Sequence, residues 1–94
     1  MEQVRDNPAE QRYEVTIDGR TAVAAYEREG DVLVFTHTGV PPELEGHGVG
    51  SRLIAGAFAD VRAKRLKVVP QCEFVAAYME RHPDTLDLLA RPAT

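Results

Sequence analysis

A chain of 94 residues with 44% hydrophobic content is long enough for one compact domain with a single core and too short for two. Its 15 acidic and 11 basic residues leave a formal net charge of -4, and the basic residues are scattered apart from Arg62 to Lys67 at a predicted helix end, so a nucleic-acid partner is not expected. One cysteine, Cys72, excludes an intramolecular disulfide framework. No charged leader followed by an apolar run opens the chain, which points away from secretion and membrane insertion and makes the cytoplasm the expected location.

Met1 to Glu10 carries Asp6-Asn7-Pro8 and almost no apolar spacing, so it is expected to fray. Tyr13, Val15 and Ile17 then alternate with Glu14 and Thr16. Asp18-Gly19 makes a tight two-residue turn, and Thr21 to Arg28 resumes with Val23 and Ala25, which predicts a β-hairpin. A second turn at Glu29-Gly30-Asp31 leads into Val32 to Thr38, giving three strands in an antiparallel meander, the third most apolar and expected to be central.

Pro41-Pro42 breaks that strand. From Gly48 to Arg65, Val49, Leu53, Ala57 and Val61 recur every four residues, with Ile54 and Phe58 widening the stripe, which predicts a helix with one buried face and Lys64 and Arg65 in its last turn. Leu66 to Val69 reads as a short strand stopped by Pro70, parallel and adjacent to the strand before the helix. A second helix is predicted over Glu73 to His82, with Phe74, Ala77, Tyr78 and Arg81 on one spacing and Pro83 ending it. Asp84 is expected to cap a last short helix through Leu89, with Asp87 echoing a capping box and Leu86 and Leu89 available to bury.

The chemistry concentrates in Glu45-Gly46-His47-Gly48-Val49-Gly50. Three glycines at alternate positions leave little side chain between an anion and the backbone amides, and the following helix offers its positive dipole end, so the loop suits phosphate or pyrophosphate. A dinucleotide fingerprint would place a third glycine where Leu53 stands, and a phosphate-binding P-loop would need Lys followed by Ser or Thr, which is missing here. Cys72 directly precedes the second helix, where amide donors favour the thiolate, although Glu73 opposes it and a lone cysteine is more often a small buried apolar residue. His37, His47 and His82 show no metal-ligand spacing, and no metal is expected.

The order strand, Gly-rich loop, long helix, short strand, helix resembles the GNAT superfamily of acyl-coenzyme A dependent N-acetyltransferases. His37-Thr38-Gly39-Val40-Pro41, the loop from Glu45 to Gly50, Val69-Pro70-Gln71-Cys72 and Tyr78-Met79-Glu80-Arg81-His82-Pro83 look like its minimal members, which lack the first helices; the likeness spans about Tyr13 to Leu89. The family reads Gln or Arg where Glu45 stands, so a carboxylate faces the phosphate where the usual residue helps. The fold so implied is a small α/β mixed sheet, an antiparallel meander plus a β-α-β crossover.

The resemblance implies acetyl-coenzyme A as cosubstrate. Within the cofactor-binding loop that begins at Glu45 and Gly46, the amides of His47, Gly48, Val49 and Gly50 and the start of the following helix would hold the pyrophosphate, aided by the Ser51 hydroxyl and the Arg52 guanidinium, and Val34 to Val40 would edge the pantetheine where the sheet splays. His37 would serve as general base or orient the acceptor, Cys72 could carry the acetyl group, and Tyr78 falls where the wider family often places the acid for the departing thiolate. Each has a structural alternative: a hydrogen-bonded histidine, a buried thiol, a core aromatic. The expected activity is acetyl transfer to an amine, directly or through Cys72, by a monomer or weak homodimer. The alternatives are a non-catalytic acyl-coenzyme A or partner-binding module and, less well matched, a Cys-His hydrolase.

Overall fold

The computed structural model describes residues 3–90: β1 (Arg5–Asn7), β2 (Arg12–Ile17), β3 (Arg20–Glu29), β4 (Val32–Gly39), a 3-10 turn (Pro42–Leu44), α1 (Val49–Ala63), β5 (Lys67–Pro70), α2 (Glu73–Arg81) and a closing 3-10 segment (Pro83–Leu88). The strands form one mixed sheet in chain order, antiparallel except for the parallel pair β4 and β5. The meander and the crossover are as expected. β4 is an interior strand between β3 and β5, while β3 holds the middle of the sheet.

Asp18 and Gly19 both take positive φ, 52° and 78°. That is the backbone twist a two-residue hairpin needs to bring Ile17 opposite Arg20. On one face of the sheet Tyr13, Val15, Ala22, Ala24, Tyr26, Leu33 and Phe35 meet Leu53, Ile54, Ala57, Phe58 and Val61 of α1, all of them buried. The four-residue spacing read from the sequence is the stripe that α1 buries.

Three local expectations give way to tertiary contacts. Of the stretch Met1 to Glu10 expected to fray, Met1 and Glu2 lie outside the described residues, and Arg5–Asn7 pairs with β2 as an edge strand. Polar groups do much of the holding there, which is why apolar spacing was silent: Asp6 accepts the Tyr26 hydroxyl at 2.6 Å and lies 3.2 Å from Lys64 Nζ. Val4 also reaches α1 so closely that a Cβ on Gly56 would stand 2.5 Å from its side chain. Next, α1 stops at Ala63 with Lys64 as its C-cap. Arg65 turns left-handed at φ 59°, its amide bonding Arg62 O at 3.1 Å while the Leu66 amide bonds Val61 O at 2.9 Å. These two bonds form a Schellman stop with Arg where glycine is usual.

The face of α2 is the third. Val75, Tyr78 and Met79 are buried, whereas Phe74 is 37% exposed and Arg81 is also exposed. Both sets fit helical spacing and share Tyr78, so periodicity alone could not choose between them. Asp84 does not cap the closing segment; His82 occupies that position, and Thr85 Oγ1 donates to its carbonyl at 2.7 Å. Asp87 pairs with Arg62 instead, Leu88 is buried, and Leu86 stays 45% exposed. Leu89 bridges Val68 of β5 and packs against the core.

The sheet and α1 are tied by a polar cluster. Tyr13 donates its hydroxyl to Asp60 Oδ2 at 2.6 Å, and Lys64 Nζ lies 2.8 Å from the same carboxylate. Burial alone would raise the Asp60 carboxyl, but hydrogen bonds from Lys64 and Tyr13 outweigh it and leave the group below its ordinary range. A carboxyl depressed in the folded state contributes stability that is fully present above its unfolded pKa and is lost as pH falls through the folded one. Tyr13→Phe is expected to cost about 1 to 2 kcal/mol at neutral pH. It should also flatten the acid limb of the stability curve, and urea titrations between neutral and acid pH measure both effects.

Candidate active site

The parallel ladder between β4 and β5 closes with Phe35 opposite Pro70. Proline has no N–H to continue it. Two residues later the Cys72 amide donates to the Phe35 carbonyl at 2.9 Å, and the chain turns away into α2. β4 runs on alone on that side to Gly39. The sheet therefore parts along one edge of Thr36 to Gly39, a shorter stretch than the expected Val34 to Val40 because Val34 and Phe35 are still paired with Val69 and Pro70.

β4 also carries a bulge at this point. Tyr26 opposes Phe35 and the next residue inward, Ala25, opposes His37, so Thr36 is an extra residue. The shift changes which side chains face the helices. Thr38 opposes the buried Ala24 and turns to the helix-covered face, whereas His37 opposes Ala25 and is exposed on the other face.

Beside the parted edge lies an open cavity of about 330 Å³. Its wall is Thr38 and Val40 at the end of β4, Leu44 of the 3-10 turn, Glu45, Gly46 and Gly48 of the loop, Val49, Gly50 and Ser51 at the start of α1, and Phe74 of α2. Seven of the nine residues expected to bind the cofactor are in this wall. His47 and Arg52, both exposed, are not. Thr38 lies within Val34 to Val40, the stretch expected to edge the pantetheine, whereas Leu44 was not singled out from the sequence and Phe74 was read only as part of a helix face.

The cavity floor has the electrostatics of an anion site. Gly48 is the N-cap of α1, with no side chain to close on the first amides, and the first turn carries no acidic residue. The first intrahelical bond there is from the Arg52 amide to Gly48 O at 3.0 Å, so the amides of Val49, Gly50 and Ser51 precede the ladder and keep their donors for a ligand. Glu45 is the carboxylate in the cavity wall.

The three loop glycines are needed for different reasons. Gly46 and Gly48 take φ of 83° and 72°, and a Cβ at either would meet nothing within 4 Å, which leaves their backbone open to an incoming group. Gly50 is helical. A Cβ there would stand 2.5 Å from Phe74 Cζ, so its glycine makes room for the aromatic ring.

Cys72 is half-buried at the N-cap of α2, its Sγ 3.3 Å from Thr38 Oγ1. Burial pushes the thiol pKa up, but hydrogen bonding from the Thr38 hydroxyl and the nearby amides of Val75, Phe74 and Thr38 prevail and set it below the ordinary value. Thr38 thus connects the cavity wall to the sulfur. Tyr78 lies elsewhere, with its ring edge-on to Phe58 at 5.8 Å and stacked on His82 at 4.1 Å. Burial, then the charge of Asp84, raises its phenol. None of the three residues expected to be catalytic, Cys72, Tyr78 and His37, lines the cavity; Cys72 touches its wall through the Thr38 hydroxyl. Among the described residues no group of three or more His, Cys, Asp or Glu side chains is arranged to hold a metal ion.

A sheet parted at one edge, with an uncapped helix N-terminus beside the gap, presents backbone donors of the kind that suit an extended anion. Residues 12–88 match the model of the GCN5-related N-acetyltransferase family, and the chain belongs to that family. The fold is similar to that of a GCN5-like protein from Staphylococcus aureus solved in solution by NMR, with a TM-score of 0.71 at 23% identity over 97% of this chain and 90% of the other. No curated protein sequence matches it.

The Gly50 and Phe74 contact predicts a coupling. Alanine at position 50 gains helix propensity of up to about 1 kcal/mol but displaces the Phe74 ring. Gly50→Ala should therefore be more favourable by about 1 to 2 kcal/mol in a Phe74→Ala background than in the native one. Denaturant titration of the four proteins in this double-mutant cycle measures the difference.

Proposed function

We propose that the cavity binds acetyl-coenzyme A and that the protein transfers the acetyl group to an amine. The observation that carries this reading is the cavity itself, with an uncapped helix N-terminus at its floor and the unpaired edge of β4 beside it. The pyrophosphate would lie on the amides of Gly48 to Ser51 and the pantetheine along Thr36 to Val40, pairing with the free strand edge. Glu45 weakens this grip through its charge. The acceptor would approach from the open side of the cavity.

Two routes lead from thioester to product, direct attack by the amine and passage through Cys72. The lowered thiol and its contact with Thr38 favour the second. The thiolate attacks the thioester carbonyl, the bond from that carbon to the coenzyme A sulfur breaks, and coenzyme A departs as thiolate to be protonated by solvent. A neutral amine then attacks the acetyl-cysteine, regenerating the Cys72 thiolate and losing its extra proton to solvent. We route no proton through Tyr78 or His37, which among the described residues have no polar side-chain contact with the cavity wall, whereas Cys72, also outside the wall, contacts it through the Thr38 hydroxyl. A cytoplasmic setting goes with this reading, because a reducing compartment keeps a single thiol free.

Gly48→Asp places a carboxylate where the pyrophosphate lies, and repulsion of about one to several kcal/mol should weaken coenzyme A binding by at least tenfold. Calorimetric titration of the folded variant checks this, and unchanged affinity overturns the phosphate assignment. If the wild-type protein binds coenzyme A but turns over no amine, it is an acyl-coenzyme A binding module.

Cys72→Ala separates the two routes. The covalent route requires an acetyl adduct on the wild-type protein by mass analysis, its loss in the variant, and a fall in turnover. Retained turnover in Cys72→Ala assigns the chemistry to direct attack.

A further inference from the structure

We propose that Thr38 is the positioning residue of the transfer site, its hydroxyl turning the Cys72 sulfur toward the cavity and donating a hydrogen bond to the thiolate. This rests on the reading of the cavity as the acyl-coenzyme A site. Thr38 belongs to both parts of the geometry, since it lines the cavity and its Oγ1 lies 3.3 Å from Cys72 Sγ. No other residue in the cavity wall has a side-chain hydrogen bond to that sulfur among the described residues.

The bulge puts Thr38 there. With regular pairing, Thr38 would share the outer face with Val34 and His37 would share the helix-covered face with Phe35. The extra residue at Thr36 reverses this, so that Thr38 opposes Ala24 and His37 opposes Ala25. A hydroxyl rather than an imidazole thereby meets the sulfur. This suits a nucleophile that must be both held and released: a hydroxyl hydrogen can turn to donate to a thiolate, and it carries no charge that would hold the sulfur in an ion pair.

The backbone supports the same placement from the other side. Cys72 is anchored by its amide on the Phe35 carbonyl at 2.9 Å, and its own carbonyl accepts the Ala76 amide at 3.0 Å in the first turn of α2. With its main chain fixed at both ends, the sulfur retains mainly its side-chain rotation. The Thr38 hydroxyl selects among those rotamers.

The test uses the full chain and its single cysteine, so that alkylation by iodoacetamide reports Cys72 alone. Thr38→Val keeps the β-branched shape and removes the hydroxyl, while Thr38→Ser restores a hydroxyl. Losing a hydrogen bond to the thiolate should slow alkylation about three- to tenfold below the inflection of its pH profile and move that inflection upward. Thr38→Ser should return both toward the native values, and acetyl-cysteine formation should follow the same order. An unshifted profile in Thr38→Val, or no recovery in Thr38→Ser, overturns the role of Thr38 while leaving the site reading intact. If coenzyme A binding fails to slow alkylation of the native protein, the site reading falls and the transfer role of Thr38 falls with it.

Discussion

The hydrogen bond from the Cys72 amide to the Phe35 carbonyl marks the point where two strands stop being a sheet. Up to Phe35, β4 and β5 satisfy each other; beyond it, Pro70 can donate nothing and α2 takes over the chain. An unpaired strand edge is usually a hazard that proteins cover. In the proposed function it is the feature that an extended cofactor would pair with, and the cavity and the start of α1 lie beside it, with the thiol one hydrogen bond away at Thr38.

The same residue anchors the core. The Phe35 ring meets Tyr13 at 6.2 Å, Tyr26 at 6.1 Å and Phe58 at 5.9 Å, and Phe58 continues the contact to Tyr78. The aromatic row therefore runs from the middle of the sheet, across α1, to α2. It fixes α2 against α1 and so fixes where Cys72 and Phe74 stand. Burial of large rings supplies most of the energy, and the hydroxyls of Tyr13 and Tyr26 find carboxylates at the rim so that no buried side-chain nitrogen or oxygen is left unpaired among the described residues. Tyr78 takes its meaning from this row, as a packed ring more than as a site residue.

Glycine spacing led to the loop that walls the cavity, but the three glycines serve different ends. Gly46 and Gly48 leave the backbone uncovered, whereas Gly50 is small for the sake of Phe74. The apolar stripe of α1 was legible because a long helix repeats its signal over four turns. On the nine-residue α2 two overlapping faces fitted equally well, and only packing against α1 selected Val75, Tyr78 and Met79.

From the sequence by itself came the meander, the crossover, the anion loop, the family resemblance and the position of Cys72 before a helix. These are local properties: turn dihedrals, side-chain periodicity and backbone freedom operate over a few residues and can be read from a few residues. Tertiary structure decided that Arg5–Asn7 forms a strand, that a left-handed arginine follows the end of α1, and that Thr38 instead of His37 faces the helices. Each of these depends on a partner far along the chain. An edge strand held by the Tyr26 hydroxyl and Lys64 has no apolar pattern to announce it, and a bulge is a mismatch between two strands that neither strand encodes alone.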